Sequence, residues 1–559
     1  MRKIYSLLSA LILSILIGCT PEKKETEVSM KSTNTAKKTV VYQVFTRLFG
    51  NTNTTNKPWG TLEENGVGKF NDFTDKALSE IKDLGVTHIW YTGVPHHDVI
   101  RDYTKYGISN DDPDVVKGRA GSPYAVKDYY NVNPDLAVNV ENRLQEFEQL
   151  IERSHKNDLK VIIDIVPNHV ARNYEGLTNP EGVKDFGAED DVSVEYDVNN
   201  NFYYVPNKAF EVPDFVNDYQ PLGGEENALS DHKFDEKPAK WTGNGSRSPK
   251  PNSNDWYETV KINYGISPDG KKDFDALPAG FENEDYKKHF EFWQDKTVPN
   301  SWIKFRDIAL YWLEKGVDGF RFDMAEMVPV EFWSFMNSAI KMKNPEAFLL
   351  AEVYNPSLYR DYIRKGKMDY LYDKVQLYDT IKHVMQGHGL TDNIPPIQED
   401  LKDIEHNMLH FLENHDEQRI ASKEFAGNAL KGKPAMVVST TISTAPTMVY
   451  FGQEFGEDGS ENAGFGSPSR TSIFDYVGVP SLQRWVNDKK FDGGQSNKEE
   501  KSLRDFYKRL LNFTIKSDAL MGEYQDIHQF NRENTEGYTE KVLSFVRYSE
   551  TEKLIIISN

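Results

Sequence analysis

Short apolar strands alternate with helical stretches along this chain, and that alternation limits its fold more than any other feature. Val40–Phe45 is a β-branched and aromatic first strand, with Arg47 just past its end. A Gly/Asn/Thr loop from Gly50 to Gly68 leads to a helical pattern over Phe73–Leu84, stopped by Gly85. Val86–Tyr91, Lys160–Val166, the run ending at Asp323, Phe348–Val353, Met368–Tyr372, Met408–Leu412 and Thr447–Phe451 bring the strands to eight. Helical patterns over Glu141–Asn157, Ser301–Lys315 and Val330–Met342 separate several of them. Alternation of this kind predicts a parallel sheet, and eight units predict a (β/α)8 TIM barrel rather than an open sheet.

The alternation pauses once. From about Ala171 to Asn300 the chain is rich in Asn, Asp, Gly, Pro and aromatics, far too long for a plain loop. The expected layout is therefore a barrel in two parts, residues 39–170 and 301–515, split by an insertion domain, 171–300, after strand three. Residues 516–559 turn to strands, Val542–Val546 and Leu554–Ile557, and read as part of a C-terminal all-β domain. Two strands cannot bury the inner faces of a β-sandwich, so further strands are expected beyond Asn559.

A hydrophobic fraction of 38%, with 31 Phe, 29 Tyr and 9 Trp, supplies packed cores and excludes a disordered chain. The net charge of −21 argues against nucleic acid, whose phosphates demand basic surface, and suits a neutral substrate. The single cysteine, Cys19, leaves no intramolecular disulfide and no thiolate metal cluster. Arg2 and Lys3 precede an apolar run, Leu7–Ile17, that is too short to span a membrane and reads as an export signal. It ends in Leu16-Ile17-Gly18-Cys19, which resembles the bacterial lipobox, whose cysteine is lipidated and becomes the mature N-terminus. Residues 1–38 are thus expected to be a lipoprotein signal and polar tether. The protein would be exported and held at the periplasmic or cell-surface membrane by lipid alone; an ordinary cleaved signal is the alternative.

Ionisable residues gather where strands end. Strand three runs into Asp164-Ile165-Val166-Pro167-Asn168-His169, and strand five into Ala351-Glu352-Val353. Strand seven runs into Glu413-Asn414-His415-Asp416. Strand four, within Gly316–Met324, carries Arg321 and Asp323 two residues apart, hence on one face. A cation beside a carboxylate favours its anionic form. Alone, such a pair reads as a strand cap. Three acids from separate strands, with Arg and two His, argue against a purely structural role, because like charges in one cleft repel. An ionised, oriented carboxylate is what covalent displacement at a sugar carbon requires.

These residues resemble the four ordered signatures of the α-amylase superfamily of glycoside hydrolases: Asp164–His169, Gly319–Asp323, Glu352 after its apolar strand, and Asn414-His415-Asp416. Tyr42–Arg47, Tyr124–Tyr129 and Tyr450–Glu454 add to the likeness, which runs from about Val40 to Phe455. The resemblance implies a retaining glycosidase that cleaves α-glucosidic, expectedly α-1,4, linkages of starch-like glucans or malto-oligosaccharides by double displacement. It makes Asp323 the nucleophile, Glu352 the general acid/base, and Asp416 the carboxylate that binds sugar hydroxyls and helps distort the ring. Arg321 would orient Asp323, His169 and His415 would hydrogen-bond sugar hydroxyls, and Tyr124 would be the platform beneath the ring. An acetal oxygen leaves poorly without a proton, so one carboxyl must be protonated and another ionised. Arg321 is expected to keep Asp323 ionised, and the charges of Asp323 and Asp416 to keep a proton on Glu352. The family also implies a structural calcium between barrel and insertion, with Asn168 at one ligand position. Asn51, Asn53 and Asn56 could hold another hard cation, although a turn is the stronger reading of that loop.

Two departures stand out. Many starch-cleaving members carry Lys-His three and four residues past the nucleophile; here those positions are Glu326 and Met327. The short signature late in the insertion is only loosely matched by Val260-Lys261-Ile262-Asn263. Transfer or isomerisation of glucosyl units is the alternative activity, because water and sugar compete for one covalent intermediate. A non-catalytic glucan-binding relative would have lost a carboxylate, and all three are present. A metallohydrolase would need clustered histidines with supporting partners, a setting that His96-His97 lacks.

Overall fold

The computed structural model describes residues 37–559, so Cys19 and the rest of the export signal lie outside the described residues. Eight strands form one parallel sheet: β1 (Val40–Phe45), β2 (His88–Thr92), β3 (Lys160–Ile165), β4 (Gly319–Phe322), β5 (Phe348–Ala351), β6 (Tyr370–Tyr372), β7 (Met408–Leu409) and β8 (Thr447–Tyr450). Their order is β7-β6-β5-β4-β3-β2-β1-β8. A parallel bridge between His410 and Thr447 closes the ring, with Met448 N donating to His410 O at 2.8 Å. The expected barrel is therefore present. Both faces of a barrel strand are covered, which is why these segments read as continuous apolar runs.

The outer layer consists of α1 (Asp75–Asp83), α2 (Arg143–Lys156), α3 (Asn300–Glu314), α4 (Val330–Lys343), α5 (Tyr359–Arg364), α6 (Asp379–Met385), α7 (Lys433–Thr441) and α8 (Lys498–Thr514). Their ends follow local rules. Thr74 caps α1 by accepting from Ala77 N, and Asn497 caps α8 in a capping box with Glu500. After α3, Gly316 adopts φ +98°, Gly316 N donates to Leu313 O and Val317 N donates to Trp312 O, both at 3.1 Å. This pair of bonds reverses the chain into β4, and a side chain at Gly316 would strain that backbone.

The long segment after β3 holds no α-helix between Ala171 and Asp285. It is built from short antiparallel pairs: His169–Ala171 with Thr259–Lys261, and Tyr204–Val205 with Ala239–Lys240. Phe210, Val212, Ala239 and Tyr257 form a small apolar core of its own with Val115. By Tyr286 the chain is back on the barrel wall. The helix Tyr286–Trp293 there sends Trp293 Nε1 to Ser334 Oγ on α4 at 2.8 Å.

The C-terminal part is a three-stranded antiparallel sheet of β9 (Glu523–Asp526), β10 (Leu543–Tyr548) and β11 (Lys553–Ser558). β9 escapes a hydropathy reading because Glu523, Gln525 and Asp526 are exposed, so its side chains carry no apolar alternation. Ile555 and Ile557 on β11 are largely exposed. Among the described residues no helix is long and apolar enough to cross a membrane.

Candidate active site

Parallel pairing decides which strand-end residues meet. Between β4 and β5, Phe322 lies beside Ala351, and Glu352 N donates to Phe322 O at 3.0 Å. The next residue of each strand, Asp323 and Glu352, therefore stands next to the other. Between β3 and β4, Asp164 lies beside Arg321.

Arg321, wholly buried, is the hub. Its Nη1 donates to Asp323 Oδ1 at 2.7 Å and lies 3.4 Å from Asp164 Oδ1, while Nη2 donates to Glu352 Oε2 at 2.9 Å. Met324 N also donates to Glu352 Oε2 at 2.9 Å. One oxygen of each carboxylate is thus anchored, leaving Asp323 Oδ2 and Glu352 Oε1 for the cleft. Burial pushes the Asp323 carboxyl well above the usual range; Arg321 pulls it down, and Glu352 and Asp416 push it further up. Arg321 thus favours the Asp323 anion, as expected, while burial and the two neighbouring carboxylates oppose it. One guanidinium serves three carboxylates, so its charge is divided among them.

Asp416 shows the opposite balance. Burial opposes its ionisation, but His415, Arg321 and Arg470 outweigh that and bring it down to about 2. His415 Nε2 lies 3.0 Å from Asp416 Oδ2. Asn414 shapes the turn beneath, its Oδ1 accepting from Asp416 N at 2.8 Å and Glu417 N at 2.9 Å. His415 in turn stacks on Tyr124, with ring centroids 5.1 Å apart, and its Nε2 lies 2.5 Å from the Tyr124 hydroxyl. Half-buried Tyr124 forms the floor between these groups, and its hydroxyl lies 3.5 Å from Asp164 Oδ1.

Three supporting residues had no role assigned from sequence. Trp90 Nε1 donates to Asp164 Oδ2 at 2.7 Å, and Gln43 Nε2 lies 2.8 Å from His415 Nδ1. Burial pushes Asp164 up, with Arg321 and His415 opposing. Gln43, the one amide inside the apolar β1, was the available signal: a buried polar side chain needs a partner.

His169 sits across the cleft on the strand that opens the insertion, its ring edge-on to Trp256 at 5.6 Å. Burial, with Lys261 and Lys117 adding to it, pushes His169 down to about 3, so the ring is neutral in ordinary conditions. Six of the eight residues singled out from sequence, Arg321, Asp323, Glu352, Asp416, His415 and Tyr124, are thus linked by direct contacts, and His169 stands at the root of the insertion. The eighth, Asn168, expected as a calcium ligand, is engaged with protein groups. Its side-chain oxygen accepts from the Lys261 ammonium and its amide donates to Gly243 O at 3.0 Å. Among the described residues no group of three or more His, Cys, Asp or Glu could hold a metal ion. The loop asparagines are occupied too: Asn51 Oδ1 accepts from Asn53 N, Asn53 Oδ1 from Thr55 N and Asn56 Oδ1 from Gly478 N. They build turns. His96 and His97 lie on a short buried strand, Pro95–His97, paired with Val126–Val132.

Comparison with known proteins agrees with this fold. The family model described as "Alpha amylase, catalytic domain" matches residues 43–213 and 281–508, leaving out the middle of the insertion. Alpha-amylase 3 of Dictyoglomus thermophilum is 22% identical, covering 94% of this chain and 85% of the relative. A cyclomaltodextrinase of Thermoanaerobacter pseudethanolicus is also 22% identical, over 93% of this chain and 70% of its own. Among solved structures, the cyclic α-maltosyl-(1→6)-maltose hydrolase of Arthrobacter globiformis, in complex with maltose, superposes with a TM-score of 0.57. It shares 16% identity, over 93% of this chain and 90% of that one. The α-amylase of H. orenii gives 0.56 at 18% identity, over 93% and 89%. With its (β/α)8 barrel and its carboxylates at the strand ends, this chain belongs to the α-amylase family of glycosidases.

Proposed function

We propose that the protein is a retaining hydrolase of α-1,4 linkages in starch-like glucans or malto-oligosaccharides. The observation that carries this reading is the placement of Asp323 and Glu352 on adjacent strands, joined by Arg321. Neighbouring strands lie about 4.8 Å apart. That spacing suits the ~5–5.5 Å between carboxyls of a retaining enzyme better than the ~6.5–9.5 Å that leaves room for an inverting water.

Glu352 gives its proton to the glycosidic oxygen while Asp323 Oδ2 attacks the anomeric carbon. The C–O bond to the leaving sugar breaks and a glycosyl ester forms on Asp323. Glu352, now a carboxylate, takes a proton from water, which releases the sugar with its α-configuration kept. The acid step needs its proton on Glu352 and the negative charge on Asp323, whose anion Arg321 favours. Asp416, ionised throughout, faces the sugar hydroxyls with His415 and His169, above Tyr124. Incubation with starch, pullulan, maltose and isomaltose, followed by chromatography of products, tests linkage and separates hydrolysis from transfer. Proton NMR of the first sugar released is expected to show the α-anomer; initial β-anomer would exclude Asp323 as nucleophile. The lipobox-like Leu16-Ile17-Gly18-Cys19 further supports an exported enzyme tethered by lipid at Cys19.

A further inference from the structure

The junction between barrel and insertion carries a positive charge of its own. His169 pairs with Lys261 across two short antiparallel strands, and Ile262 N donates to Asn168 O at 3.1 Å. The Lys261 side chain runs back along this pair and its ammonium donates to Asn168 Oδ1. Asn168, wholly buried, has its amide nitrogen 3.0 Å from both Gly243 O and His169 Nδ1. Calcium takes about six to eight oxygens at ~2.3–2.6 Å. Here the one side-chain oxygen expected to serve it accepts from an ammonium instead. A second cation there would meet like-charge repulsion in a buried setting.

We infer that Lys261 is the built-in cation of this junction. Its ammonium fastens the insertion strand Thr259–Lys261 to the loop after β3, so that this wall of the cleft closes without calcium. Through Asn168 it also holds His169 against the cleft, which makes Lys261 a positioning residue. That last point rests on the proposed glucan chemistry; the fastening does not.

Melting the full-length protein with millimolar calcium, and again with excess EDTA, tests the metal side with neither variant nor substrate. The two curves are expected to coincide; a higher Tm with calcium, or a lower one with EDTA, overturns the inference. Lys261→Met keeps the apolar stem and removes the ammonium, and Lys261→Arg keeps a cation. The methionine variant is expected to melt several degrees lower in both conditions. Its KM for a malto-oligosaccharide should rise about tenfold, the loss of one charge-assisted hydrogen bond, with much less change in kcat. Arginine should recover most of the Tm. A methionine variant with unchanged Tm and KM overturns the assignment. If the wild-type protein cleaves no glucan, the proposed activity fails, while the melting comparison still decides the role of Lys261.

Discussion

Asp323→Asn removes the attacking oxygen, so turnover should fall about 10⁴-fold or more with every substrate, as loss of a nucleophile does in other covalent enzymes. Glu352→Gln should behave differently. Activated substrates with good leaving groups need no proton and should still form the glycosyl ester, and azide should restore part of the second step. Steady-state kinetics on a glucosyl fluoride and a malto-oligosaccharide separate the two variants. The pH dependence follows from Asp416. Its charge raises the Asp323 carboxyl, whereas Asp416 itself lies at about 2 and stays ionised through the working range. The acid limb of kcat/KM therefore reports Asp323, not Asp416. Removing the neighbouring negative charge makes the Asp323 anion easier to form. Asp416→Asn should thus move the acid limb of its residual activity to lower pH; a limb that stays in place would show that the two carboxylates do not interact.

At the scale of elements, the turn after β4 supports the turn after β5. Glu326, three residues past Asp323, directs Oε2 at Tyr354 N and Asn355 N, both at 2.9 Å. Those amides follow Glu352 by two and three residues, so Glu326 fixes the strand end that carries the acid/base. The residue that departs from the Lys of many starch-cleaving relatives is therefore engaged with backbone rather than aimed at the leaving sugar. Glu326→Ala should loosen this turn and lower kcat by about 10- to 100-fold, the scale of a misplacement near 1 Å. Glu326→Gln retains a carbonyl oxygen able to accept both N–H groups and should keep most of the activity. Equal losses in the two variants would show that the charge matters and the bonds do not.

At the scale of the whole molecule, several side chains join the C-terminal part to the barrel, among them Ser558, Arg532 and Arg547. Arg547 of β10 is almost wholly buried. It donates to Ile442 O after α7 at 2.9 Å, and to Leu520 O at 3.0 Å and Gly522 O at 2.8 Å. Arg547→Met keeps much of the volume but leaves three carbonyls without this donor. It should lower stability by about 1–3 kcal/mol or more, read as a fall in Tm, with KM unchanged because the cleft lies at the other end of the barrel strands. Attachment to the membrane is a separate property. Cys19→Ala should leave folding and activity intact and move the protein from the membrane fraction to the soluble one. A variant that stays membrane-bound after a salt wash would refute the lipid anchor.

The sequence by itself determined the barrel, because buried parallel strands must be apolar throughout and the helices between them are bounded by Gly316-type stops and Asn or Thr caps. It also marked Asp323, Glu352 and Asp416, since charged residues at the ends of such strands have few other uses. β9 was not legible, because an exposed strand leaves no apolar alternation. Nor were the roles of Trp90 and Gln43, which depend on partners 74 and 372 residues away in the chain. Only the tertiary structure decided how charge is shared. Strand register sets Arg321 among Asp164, Asp323 and Glu352, and burial raises Asp323 against the pull of that arginine. It likewise decided what meets Asn168, because an ammonium reaches it only once the insertion folds back and pairs Lys261 with His169. Local sequence fixes which groups are present; their electrostatic state depends on distances that exist only after the chain has closed.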